Sequence, residues 1–211
     1  MKKRLLFSGL VIAALLVLVP VYAQNQAGIF IWRVIVPVEQ TGKVRTCPIC
    51  GASLPESDIE PDGEINMEKV LLVGMKSLAS CRLFFSAAVP VQTEDGKSPD
   101  IDFMLKATGE KGASALLAPV LLRYRQLVGG KFAASSPAAV AFHLHLIRVE
   151  DSKMIWNFTY DETQRPLSEN LLEVHKLWKR GFKWVKAEQL LVEGMDKAIR
   201  DFPDCEEVAP K

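Results

Sequence analysis

Apolar and polar positions alternate most clearly in the second half of the chain. Val140, Phe142, Leu144 and Leu146 interleave with Ala141, His143, His145 and Ile147, the period-two pattern of a half-buried strand. Glu150-Asp151-Ser152-Lys153 is a turn, and Met154, Trp156, Phe158 and Tyr160 alternate in a returning strand, which predicts a β-hairpin. Before it, Ala115–Tyr124 is a continuous apolar run that becomes polar at Arg123 and Arg125. Ile29–Val38 is β-branched and aromatic and reads as a strand, with Pro37 placing it at an edge or near its end. Leu83–Val89 is a further strand.

Helical spacing appears in four places. Met67, Val70, Leu71, Met75, Leu78 and Ala79 recur on one face of 64–80, and Ile101, Leu105 and Thr108 mark a short helix closed by Gly109. Ser168 caps a helix with Leu171, Val174, His175 and Trp178 inward and Gly181 beyond its end. Ala187–Phe202 carries Leu191, Met195, Ala198, Ile199 and Phe202 in register until Pro203 stops it. The order β-α-β-α-β-β-β-α-α predicts an α/β (α+β) fold, a mixed sheet flanked by helices.

The N-terminus has a different pattern. Lys2, Lys3 and Arg4 precede the apolar stretch Leu5–Val19, Pro20 ends it, and Val21-Tyr22-Ala23 supplies a cleavage site. That layout predicts a secretory signal over 1–23, with an uncleaved anchor as the alternative. A strand and cysteine-containing loop follow over 24–63, the α/β domain over 64–203 and a tail over 204–211. Residues 92–99 and 206–211 are the expected disordered pieces. No cysteine lies near the cleavage point, which disfavours acylation. Export to the periplasm or cell envelope as a protein soluble after cleavage is the expected address.

Charge adds one exclusion. The chain has 26 Lys and Arg against 25 Asp and Glu, and cleavage would remove three of the basic residues and none of the acidic ones. A near-neutral domain lacks the field of a nucleic-acid binder, so no nucleic-acid partner is expected.

Several clusters are candidates for chemistry. Cys47-Pro48-Ile49-Cys50-Gly51 has the C-P-x-C-G form of a zinc knuckle, in which two thiolates grip the metal and Gly permits the turn. A closed site needs four ligands, and the remaining cysteines, Cys81 and Cys205, stand alone. In an oxidising compartment four cysteines more often pair, so disulfides lead, zinc at Cys47 and Cys50 follows, and redox-active or idle thiols are third. His143 and His145 project from one strand face, a spacing that can bind a metal, although two histidines on the polar side of a half-buried strand need no ligand.

Asp161 and Glu162 would point in opposite directions on a continuing strand, poorly placed for concerted acid–base work. Gln164 and Arg165 lie in a junction that serves either as turn and cap chemistry or as a partner-binding loop. Lys176–Lys186 interleaves five cations with three aromatics. Lys179, Arg180, Lys183 and Trp184 there could meet a partner or an anionic membrane surface, or could simply complement a helix end. Neither G-x-S-x-G nor H-E-x-x-H occurs, and no enzyme is expected.

Ser136-Pro137, Val140-Ala141-Phe142-His143-Leu144, Ile155-Trp156 and Asp161-Glu162-Thr163-Gln164-Arg165-Pro166-Leu167-Ser168-Glu169-Asn170 resemble uncharacterised bacterial envelope proteins. These are related to the TolB N-terminal domain, the curli-export lipoprotein CsgG and the penicillin-binding-protein activator LpoB. The resemblance covers about residues 64–202 and is sharpest from Trp156 to Asn170. It implies a TolB-like fold and a non-enzymatic module that binds another envelope protein, accessory to cell-wall or outer-membrane machinery. The membrane hairpins of the curli exporter are missing, and so is the acylated cysteine of the lipoproteins.

Overall fold

The computed structural model describes residues 28–78, 81–86, 100–130, 133–164 and 184–208. The signal segment, residues 92–99, Arg165 and the helix expected from Ser168 lie outside the described residues.

The sheet has five strands: β1 (Gly28–Ile31), β4 (Arg82–Phe85), β5 (Ala115–Arg125), β8 (Ala139–Arg148) and β9 (Met154–Thr163). Their order is β4-β1-β5-β8-β9. Strand β1 is parallel to both neighbours, whereas β5, β8 and β9 form an antiparallel meander. The sheet is therefore mixed and the fold is α/β, as its hydrophobic pattern predicts. Short strands β2 (Arg45–Thr46) and β3 (Ser53–Leu54) pair inside the expected loop, and β6 (Val128–Gly130) pairs with β7 (Ala133–Ser136).

Helix α1 (Gly63–Met75), helix α2 (Ile101–Glu110) and helix α3 (Ala187–Asp201) cover the sheet. Met67, Leu71 and Met75 of α1 and Leu190, Leu191 and Met195 of α3 share one core with Ile29, Leu117, Phe142 and Leu144. The opposite core joins Met104 and Leu105 of α2 to Phe30, Leu116, Ala118, Val120 and Cys47. Alternation along each strand sends successive side chains to these two cores. Each fully buried large aliphatic or aromatic side chain contributes roughly 1.5–3 kcal/mol. Helix α3 sits very close: a Cβ on Gly194 would lie 2.7 Å from Tyr160 and 2.8 Å from Phe142. Its first turn is tied back by side chains, since the Lys186 N–H donates to Gln189 Oε1 and the Ala187 N–H to Gln126 Oε1.

Three expectations are corrected. Strand β8 is buried on both faces, because a second layer covers the face that pattern alone leaves to solvent. The first strand stops at Ile31, and beyond the Trp32 N–H bond to Leu117 O it rejoins β5 through an isolated bridge from Ile35 to Val120. The tail is not structureless: Cys205–Val208 forms the short helix α4, with Val208 fully buried and Cys205 bonded to Cys81. Among the described residues, no helix is long and apolar enough to cross a membrane.

Candidate metal centre

The C-P-x-C-G segment is the tip of the β2–β3 hairpin. Arg45 pairs with Leu54 and Thr46 with Ser53, and the Thr46 and Ser53 hydroxyls lie 2.8 Å apart. The Cys47 N–H donates to Ala52 O, and the Gly51 N–H returns to Cys47 O at 3.0 Å. Gly51 takes φ +74°, a left-handed conformation that a glycine adopts without strain. This turn places two sulfurs beside the two histidines from one short segment.

Two arginines seat the hairpin. Arg45 donates to the carbonyls of Pro37 and Ser57. Arg123 donates from Nη2 to Pro55 O (2.8 Å) and from Nε to Glu56 O (2.9 Å), while its Nη1 pairs with Asp161 at 2.7 Å. Pairing of β5 with β8 slips between Leu121 and Arg123. This bulge puts Arg123 opposite Ala141, in line with Val120 opposite His143 and Ala118 opposite His145. A bulge re-aims a side chain in this way. Arg123 therefore serves the same sheet face as the two histidines.

His143 and His145 lie under the hairpin tip. Cys47 Sγ is 3.3 Å from His145 Nε2, and Cys50 Sγ is 3.5 Å from His143 Nδ1. One ligand atom from each of the four residues falls within 4.8 Å of the other three. Tetrahedral zinc with bonds of about 2.3 Å to sulfur and about 2.0 Å to nitrogen sets sulfur and nitrogen roughly 3.6 Å apart. The Cys47–His145 and Cys50–His143 separations of 3.3 and 3.5 Å match that within a few tenths of an ångström. Cys47 and His145 are 1% and 0% exposed, and His143 is 9% exposed. Cys50 reaches the surface.

Burial favours the neutral forms of Cys47, His143 and His145. It pushes the Cys47 thiol up to about 11 and the His145 imidazole down to about 4, the latter helped by the neighbouring His143. His143 is also lowered, again chiefly by burial. Neutral imidazoles have a lone pair ready for a metal, whereas the thiol must lose its proton. His145 Nδ1 is buried without a hydrogen-bond partner among the described residues. A metal-bound histidine usually donates that second N–H to a carboxylate or carbonyl.

The cysteines divide differently from the leading expectation. Cys81 and Cys205 form a disulfide across 124 residues, whereas Cys47 and Cys50 are free and face histidines instead of each other's partners. His143 and His145 bring two imidazole nitrogens beside the two thiols, and they are buried rather than decorating a polar strand face. Of the candidate partner-binding residues, Gln164 is 2% exposed and its Oε1 accepts the Val185 N–H at 2.9 Å, so it ties the end of β9 to the approach of α3. That burial removes it from a partner-facing surface. Trp184 is half-buried. Arg165, Lys179, Arg180 and Lys183 lie outside the described residues. Asp161 and Glu162 do diverge along β9, one exposed and the other buried.

No protein-family model matches the chain, and no curated protein matches it. Among solved structures, the PelC dodecamer from Paraburkholderia phytofirmans is 11% identical over 83% of this chain and 86% of that one, with a TM-score of 0.48. Lipoprotein GNA1162 from Neisseria meningitidis is 13% identical over 73% and 96%, with a TM-score of 0.41. The LpoB C-terminal domain from Salmonella enterica is 10% identical over 66% and 85%, with a TM-score of 0.29. TM-scores of 0.48 and lower are too distant to speak for partner or activity, and they do not show the relation to TolB or CsgG.

Proposed function

We propose that Cys47, Cys50, His143 and His145 bind a single zinc ion, and that the chain is a zinc-stapled, non-enzymatic module of the cell envelope. The observation that carries this is the convergence of four ligand atoms within 4.8 Å, from a turn and a strand more than 90 residues apart. Two sulfurs and two imidazole nitrogens in a compact group suit tetrahedral zinc. Four protein ligands fill its coordination sphere and leave no position for substrate or water, which is the arrangement of a structural rather than a catalytic site. The metal would bind the β2–β3 hairpin to the centre of β8 and close the second core over Ala118 and Val120.

The envelope part of the proposal is supported by the basic and apolar N-terminal segment and by the Cys81–Cys205 disulfide, a bond that persists in oxidising compartments. The test is metal analysis of the purified full chain together with cobalt substitution. Zinc should be stoichiometric, and cobalt should give thiolate charge-transfer bands with tetrahedral d–d absorption. Cys47→Ser and His145→Ala should each weaken zinc binding by at least a hundredfold. A wild-type chain that takes up neither metal would refute the site.

A further inference from the structure

Resting on that zinc site, we infer that disulfide oxidants act on it: they join Cys47 to Cys50 and expel the metal, making zinc occupancy a redox-controlled property. Four observations lead there. Cys50 is exposed while Cys47 is buried, so an oxidant meets one defined sulfur first. The Cys47 sulfur lies across the same turn, within the 4.8 Å limit that contains all four ligand atoms. Cys81 and Cys205 are bonded to each other, so the oxidised partner available to Cys50 within the described residues is Cys47. Finally, His145 Nδ1 has no acceptor among the described residues, so none of them supplies the outer hydrogen bond that ordinarily tightens a histidine on its metal.

The chemistry balances with a small disulfide, R–S–S–R, as oxidant. The Cys50 thiolate attacks one sulfur of R–S–S–R, forming a mixed disulfide and releasing R–S⁻. The Cys47 thiolate then attacks Cys50 Sγ, forming the Cys47–Cys50 bond and releasing the second R–S⁻. Two electrons pass from the protein to the oxidant, and the released thiolates take protons from solvent according to their pKa. The zinc ion loses both anionic ligands and leaves, since two imidazoles alone hold it far more weakly. The hairpin itself stays seated because Arg45 and Arg123 hold Pro37, Pro55, Glu56 and Ser57 by their carbonyls, independently of the metal. The site can therefore empty and refill without unfolding its surroundings.

The experiment starts from full chain loaded with zinc and freed of excess metal. Oxidised glutathione is added, and released zinc is followed with a chromogenic chelator alongside free-thiol counting and peptide mapping. The expected result is complete loss of zinc in step with loss of both thiols, a mapped Cys47–Cys50 bond, and full recovery of zinc binding after dithiothreitol and fresh zinc. Zinc retained against excess oxidised glutathione, or released with glutathione adducts but no Cys47–Cys50 bond, would overturn the redox inference while leaving the zinc site standing. Failure to load zinc at the first step would overturn both.

Discussion

At the scale of the residue, the candidate metal centre is two half-motifs, and each is legible on its own. C-P-x-C-G marks a turn with two sulfurs, and His143 and His145 two apart on a strand share a face. Burial of their face is not legible, because period-two alternation describes a strand and not what packs against it. That burial has a pH consequence in the metal-free protein. His145 is lowered from 6.5 to about 4, first by desolvation and then by the charge of His143. Between these values the unfolded chain takes up a proton that the folded chain refuses. The stabilising contribution is therefore complete above pH 6.5 and is lost as pH falls toward 4, by at most roughly 3 kcal/mol. Urea unfolding of chelator-treated protein should show the loss between pH 7 and pH 5, and His145→Gln should shrink it. A pH-independent difference between the two proteins would contradict this account.

At the scale of the element, periodicity locates β5, the β8–β9 hairpin, α1 and α3 to within a few residues. These elements bury alternating or helically spaced side chains, so their cores write directly into the sequence. The β2–β3 hairpin is different. Arg45, Arg123 and the Ser57 hydroxyl, which donates to Lys43 O, hold it by side chain to carbonyl bonds, and such bonds leave no periodic trace. The bulge before Arg123 is equally silent, although the switch from apolar to polar at that residue marks its place. Replacing Arg123 with Met would leave two carbonyls without their donor, whereas Asp161, half-exposed, could turn to water. The expected cost is about 2 kcal/mol. Hydrogen exchange should quicken over 45–57, and zinc affinity should fall about tenfold as the supporting shell loosens. Unchanged exchange in that segment would show that the hairpin is held by other means.

At the scale of the whole molecule, the two cross-links overlap along the chain. The proposed metal centre would join residues 47 and 50 to 143 and 145, and the disulfide joins Cys81, between the two, to Cys205 beyond them. Cysteine spacing alone does not disclose this arrangement, because it depends on β4 and the short helix α4 coming together at one end of the α1–α3 core. Chain-entropy reasoning for a loop of 124 residues sets a ceiling of about 5 kcal/mol on the disulfide's contribution. The Cys81→Ser, Cys205→Ser double variant should lose roughly 2–5 kcal/mol in urea unfolding, with zinc still bound. A variant as stable as the parent would show that the bond is incidental to the fold. The disulfide also has a mechanical meaning. When the chain is pulled at residues 28 and 208, tension runs from β1 through the hairpin and α1 to Cys81 and crosses directly to Cys205. The loop containing β5, β8 and β9 lies inside the covalent ring, so however far the molecule is stretched, those strands cannot be drawn out into extended chain until the bond is reduced.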